Sequence, residues 1–294
     1  MFTLLRILVR LAMWIISHIV SVGLLVGLLL VIGLLVIQLT PLDEFYRARA
    51  YAKVGDYRRA EEWYRKGLKS FPNSRYAPQA RYELGMLLIE QKRYADALAQ
   101  LRLSLDGLKD EAMKVKALIA IGDCYANMKD WRGAANSYLH AAKSCSSDEN
   151  LCATALYRAG ECYEKAGMNG DAGNAYRKAF EQHPTAQDAP KALLAYAKLL
   201  SKLNKVDKAL EHYKLLIKRY PNSDEALLAR LHMAKLYEEK RNYKEAVSSL
   251  VEFLRHSPRL VHSTMYRHLL ESAKARLKQL KEEVKAHDTT ESTK

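Results

Sequence analysis

Apolar and polar positions alternate with a helical period from about residue 43 to 286, and no stretch reads as an alternating strand. The pattern repeats. Ala60, Ala97, Ala134, Ala172, Ala209 and Ala246 are separated by 37, 37, 38, 37 and 37 residues. Four residues after each stands a bulky side chain: Tyr64, Leu101, Tyr138, Tyr176, Tyr213 and Leu250. Nine residues before each stands another: Tyr51, Leu88, Tyr125, Tyr163, Leu200 and Tyr237. Twelve residues before lies a small one: Ala48, Gly85, Gly122, Gly160, Ala197 and Ala234. Pro72, Pro184, Pro221 and Pro258 follow four of the alanines at a distance of twelve.

Each column has a steric cause. Two antiparallel helices approach closely only where one of them carries a small side chain, and a large neighbour fills the space around that crossing. A proline just beyond the second helix stops it, because the ring removes a donor and clashes with the preceding turn. Gly55, Gly167 and Asn204 fall in the turn inside their hairpins, where a left-handed backbone is often needed. The columns predict six helical hairpins over residues 41–258. A further apolar stripe of Val261, Met265, Leu269, Ala273, Leu277, Leu280 and Val284 predicts a capping helix over 259–286. The polar residues 287–294 read as a disordered tail.

The first forty residues are different. From Leu11 to Leu39 there is no charged side chain, and these 29 residues would span roughly 43 Å as a helix. That exceeds the ~20 residues a bilayer core requires. It is also longer than the apolar part of a signal peptide, and Gln38-Leu39-Thr40-Pro41 offers no small-residue cleavage site. The run predicts a single transmembrane anchor within residues 1–40. Arg6, Arg10 and the amino terminus favour a cytoplasmic N-terminal end, with the hairpins on the opposite side. Gly23 and Gly27 form a G-x-x-x-G pair through which two anchors could approach as a homodimer.

The hairpin columns resemble the tetratricopeptide repeat (TPR), a helix–turn–helix unit with a Gly, Tyr, Ala and Pro signature. The stride here is about three residues longer than the standard one, which lengthens the junctions between hairpins. Two of those junctions, Phe71-Pro72-Asn73-Ser74 and Tyr220-Pro221-Asn222-Ser223, are similar to those of bacterial envelope TPR proteins. These include outer-membrane assembly lipoproteins and Tol–Pal-associated periplasmic proteins. The fold class expected is therefore all-α: an N-terminal transmembrane helix, a TPR α-solenoid of about six hairpins and a C-terminal capping helix. The function implied is a scaffold for protein–protein interaction in the inner membrane, serving envelope assembly, secretion or translocation from the periplasmic side. A cytosol-facing adaptor and a noncatalytic subunit of a membrane complex stay open as alternatives.

By the same resemblance, the first helix of each hairpin lines a concave groove. The candidate protein-binding residues there are Tyr82, Met86, Glu90, Asp123, Asn127, Tyr157, Glu161, Lys165, Lys198, Lys202, Lys235 and Glu239. The groove is mixed apolar and acidic in the middle and basic toward Lys198, Lys202 and Lys235. The net charge of +14 includes only two basic side chains from the first forty residues, so the hairpins are basic by themselves. Such a surface attracts acidic protein segments or anionic lipid. Nucleic acid is not expected, for want of a recognition motif.

Catalysis, cofactors and metals are not expected either. There is no phosphate-cradling glycine loop, no H-E-x-x-H and no G-x-S-x-G. His256, His262 and His268 are six apart and cannot share a helix face. Cys124 and Cys162 read as small buried packing residues. Cys145 and Cys152 flank the loop between the third and fourth hairpins, where a disulfide could close in an oxidising compartment.

Overall fold

The structure, a computed structural model, describes residues 41–146, 148–257 and 264–291, together with Gly23 and Val26. All regular structure among the described residues is helical. The chain divides into two compact units, residues 1–108 and 109–294. The first unit holds two hairpins, α1 (Pro41–Lys53) with α2 (Tyr57–Ser70) and α3 (Ala77–Glu90) with α4 (Tyr94–Leu105). The second holds four: α5 (Glu111–Asn127) with α6 (Trp131–Lys143), α7 (Glu149–Lys165) with α8 (Asn169–Gln182), α9 (Ala189–Lys202) with α10 (Val206–Arg219), and α11 (Asp224–Glu239) with α12 (Tyr243–His256). A long helix, α13 (Thr264–Glu291), closes it. Within each unit, consecutive helices pack on one another in chain order.

The columns are the helix crossings. All six alanines of the Ala60 column are fully buried, and the six bulky residues four positions later are at most 3% exposed. A Cβ added to Gly85 would stand 2.6 Å from Leu101 Cγ, and one on Gly122 would stand 2.6 Å from Tyr138 Cε1. At Gly160 the distance to Tyr176 Cδ1 would be 2.5 Å. In these three hairpins the small residue of the first helix thus receives the large residue of its partner helix. Pro72, Pro184 and Pro221 lie two residues past helix ends, and the residues before them, Phe71, His183 and Tyr220, leave the helical region with φ of -135°, -127° and -130°.

One column escapes a composition-based reading. Gly55, Lys92, Lys129, Gly167, Asn204 and Arg241 all have positive φ, between 58° and 80°, at the same place in every hairpin. Each ends its first helix in a left-handed cap. The next amide donates to the carbonyl of the bulky residue five positions back: Asp56 to Tyr51, Arg93 to Leu88, Asp130 to Tyr125, Met168 to Tyr163, Lys205 to Leu200 and Asn242 to Tyr237, at 2.8–3.0 Å. Two lysines and an arginine therefore hold a conformation that costs an L-residue about 1–2 kcal/mol. Lys129→Gly relieves that strain but adds unfolded-chain entropy. It is expected to stabilise the protein by about 0.5 kcal/mol or somewhat more, read as a higher denaturation midpoint.

The end of the chain departs from expectation in one respect. Ala273 and Leu280 of the predicted stripe are buried against α11 and α12, along with Leu270, while Leu269 and Leu277 are half-buried. The helix runs on to Glu291, so residues 287–291 continue it where a polar tail was expected. Pro258 and residues 259–263 lie outside the described residues. The predicted anchor does too, with Gly27, apart from Gly23 and Val26, both helical. Among the described residues no helix is long and apolar enough to cross a membrane.

Candidate protein-binding groove

The first helices of the hairpins carry the candidate residues, and the structure sorts them into three groups. In the first unit Tyr82 and Met86 are half-buried on α3 and Glu90 is exposed at its end. In the middle of the chain the polar candidates are engaged internally. Asp123 accepts from the Tyr138 hydroxyl at 2.5 Å and from Arg158 Nη1 at 2.6 Å. Asn127 Nδ2 donates to the Asp123 carbonyl at 2.8 Å. The Tyr157 hydroxyl donates to Glu161 at 2.9 Å, and Lys165 Nζ sits 4.7 Å from the centre of the Trp131 ring.

The Asp123 cluster has a counterpart in the first unit with its charges exchanged. There Glu83 accepts from the Tyr64 hydroxyl at 3.0 Å, from Arg49 Nε at 2.7 Å and from Gln79 at 3.0 Å. Arg49 and Asp123 both follow the small column by one residue, while Glu83 and Arg158 both precede it by two in the next hairpin. Acid and base have thus traded places around a buried tyrosine hydroxyl. Burial, and then the neighbouring carboxylate, pushes the Tyr64 and Tyr138 hydroxyls above the ordinary tyrosine range. Both remain donors.

The third group faces open space. One pocket of about 300 Å³ is lined by Glu161, Glu164, Lys165, Tyr176 and Lys202. Two of its charges are paired: Lys202 Nζ lies 3.2 Å from Glu164, which also accepts from the Tyr176 hydroxyl at 3.3 Å. A second pocket of about 190 Å³ is lined by Lys198, Ser201, Lys202, Tyr213, His232, Lys235, Leu236 and Glu239. Lys202 belongs to both. Six candidates, Glu161, Lys165, Lys198, Lys202, Lys235 and Glu239, are therefore brought together on α7, α9 and α11.

Sequence reasoning missed Tyr213, His232 and Ser201 in the second pocket. Tyr213 stands in the bulky column, which marks it as a packing residue, yet it also forms pocket wall. His232 occupies the position of Glu83 and Arg158, two before the small column, and that register was the available signal. Its ring stacks on Tyr213 with centroids 5.7 Å apart and planes 16° from parallel. Burial, reinforced by Lys198 and Lys235, lowers its pKa from 6.5 to about 4.

That depression has a consequence for stability. The folded value is below the unfolded one, so as pH falls the unfolded chain takes the proton first. The contribution is complete above pH 6.5 and disappears as pH approaches 4. The expected loss across that window is on the order of 2 kcal/mol. His232→Asn should flatten this part of the stability–pH curve relative to wild type in chemical denaturation. An identical slope in both proteins would remove the assignment.

Cys145, just past α6, and Cys152, in the first turn of α7, are joined by a disulfide with Cα atoms 5.6 Å apart. Cys124 and Cys162 are free and buried, and burial raises both thiols to about 11. Among the described residues there is no group of three or more His, Cys, Asp or Glu that could hold a metal ion.

Helical hairpins with a small–bulky crossing repeated at a fixed stride define the class of fold: a tetratricopeptide-repeat fold. Models described as tetratricopeptide repeat match residues 46–112, 154–186 and 190–233. The structure is similar to the C-terminal part of a TPR repeat-containing protein from Cytophaga hutchinsonii, with a TM-score of 0.61 and 17% identity over 74% of this chain and 84% of that one. A tetratricopeptide repeat protein from Parabacteroides merdae gives 0.53 and 18%, covering 74% and 79%. The apo form of RapI gives 0.53 and 13%, covering 80% and 75%. At such identities the likeness is one of fold. No curated protein sequence matches the chain.

Proposed function

We propose that this chain is a membrane-anchored scaffold that binds other proteins through the groove of its tetratricopeptide hairpins. The observation that carries the reading is the pair of open pockets sharing Lys202, built from consecutive first helices at the repeat stride. A surface of this kind is formed before the partner arrives, so little ordering cost opposes binding. The anchor is supported by the 29 uncharged residues from Leu11 to Leu39. Placement of the hairpins outside the cytoplasm, in the bacterial envelope, is supported by Arg6 and Arg10 before the apolar run and by the Cys145–Cys152 disulfide. Such bonds persist in oxidising compartments. In this setting the protein would act in envelope assembly, secretion or translocation as a docking platform.

Two measurements test the reading. Purification in mild detergent, followed by identification of co-purifying chains, should return a partner in fixed proportion. A partner retained unchanged after charge reversal at both pockets would remove the groove from the account. Alkaline phosphatase fused after Lys294 should be active and a fluorescent reporter at the same place dark. The opposite pattern would assign the protein to the cytosol-facing adaptor class.

A further inference from the structure

The bulky column carries a tyrosine in four hairpins, and in three of them its hydroxyl reaches a carboxylate of this chain. Tyr64 donates to Glu83 at 3.0 Å, Tyr138 to Asp123 at 2.5 Å and Tyr176 to Glu164 at 3.3 Å. Tyr213 is the fourth. No acceptor for its hydroxyl is found among the described residues, although the side chain is 1% exposed and lines the second pocket. At the register positions that supply Glu83 and Asp123, the fifth and sixth hairpins carry His232 and Lys198.

The pocket around Tyr213 is accordingly rich in donors. Lys198, Lys202 and Lys235 contribute ammonium groups, and Ser201 and Tyr213 contribute hydroxyls. Glu239 is its single acid. Lys202 is paired to Glu164 at 3.2 Å, whereas Lys198 and Lys235 have no acidic partner among the described residues. Three donors of positive charge converging on a pocket of about 190 Å³ leave room for one carboxylate-bearing side chain and exclude a large ligand.

We infer that this pocket receives an acidic side chain, aspartate or glutamate, from a protein segment lying along the groove. The incoming carboxylate takes the place beside Tyr213 that a residue of this chain takes beside Tyr64, Tyr138 and Tyr176. It accepts from the tyrosine hydroxyl and is flanked by Lys198 and Lys235. The inference rests on the groove reading above and adds to it the chemistry of the partner: an acidic segment, read at the fifth and sixth hairpins.

The test uses the full chain in detergent micelles and a fluorescein-labelled octaglutamate peptide, with octaglutamine as reference, followed by anisotropy. The glutamate peptide should bind and the glutamine peptide should not. Lys198→Glu with Lys235→Glu should weaken binding about tenfold or more. Tyr213→Phe, which removes only the hydroxyl, should weaken it about fivefold. Both lysines are exposed, so the variant keeps its fold, and circular dichroism melting confirms this. Lys178→Glu with Lys218→Glu changes the net charge equally, on α8 and α10 outside the pocket, and should leave affinity nearly unchanged. Equal losses in the two double variants would overturn the inference, as would an unaffected Tyr213→Phe. Displacement of the peptide by inorganic phosphate, at concentrations where chloride of equal ionic strength has no effect, would assign the pocket to phosphate and overturn it too. A natural partner that co-purifies equally well with the Lys198→Glu/Lys235→Glu chain would overturn the acid site alone and leave the groove reading standing.

Discussion

Gly160→Val is expected to cost about 3 kcal/mol or more in a denaturant titration. A Cβ at this position already meets Tyr176 Cδ1 and Cε1 at 2.5 Å. The ring cannot retreat, because Tyr176 is 1% exposed and its neighbours Ala172, Ala175 and Ala179 are themselves buried. Valine adds two methyls to a helix that gains little propensity from it. Gly160→Ala places the same Cβ against the ring and should also destabilise, but less, because no γ-methyls follow it. Ala197 and Ala48 are buried at the same register in hairpins whose bulky residues are Tyr213 and Tyr64, so a hairpin of this stride accommodates alanine together with tyrosine. It also recovers up to about 1 kcal/mol of helix propensity. A valine variant as stable as wild type would mean that α7 and α8 do not cross at this point.

Phe180→Ala is the second large effect, and it acts between hairpins. Phe180 is 2% exposed on α8 and packs against Tyr196 of α9 at 5.9 Å and His212 of α10 at 6.5 Å between ring centres. Truncation should cost about 3–5 kcal/mol, the range for a buried phenylalanine. In a repeat array each hairpin is stabilised by its neighbours, so a weakened interface also weakens cooperativity. The melting curve of the second unit should broaden or split. Hydrogen exchange should show α5 to α8 opening separately from α9 to α13. A single sharp transition at the wild-type midpoint would contradict this role for Phe180.

Much of the fold was legible because its cause is steric and local. A small residue facing a large one at fixed stride leaves few other packings, and the alanine, glycine and tyrosine columns fall at the crossings they implied. The cap column was half visible. Gly55, Gly167 and Asn204 announce a left-handed residue, whereas Lys92, Lys129 and Arg241 hold the same φ. In those hairpins the cap hydrogen bonds impose a conformation that the residue itself does not favour. Composition cannot register that, although alignment of the repeats does.

The candidate residues were legible as positions on the first helices and less so as chemistry. Asp123 looked available because its partners, Tyr138 and Arg158, are 15 and 35 positions away. The lysines behave differently. Lys198 and Lys235 stand at the same register as Asp123 and Arg49, but the position facing them holds a neutral histidine or no counter-charge. Whether a groove residue is available thus depends on the pairing between hairpins, which a single column does not display.

The most direct test of the account is a double-mutant cycle on one crossing, with Gly160→Val and Tyr176→Ala made singly and together. If the small and bulky columns meet as described, the valine fills the space the ring vacates. Its cost should then drop by about 2 kcal/mol in the Tyr176→Ala background. An equal cost in both backgrounds would show that the two positions do not touch and would contradict the hairpin architecture on which the binding groove is built.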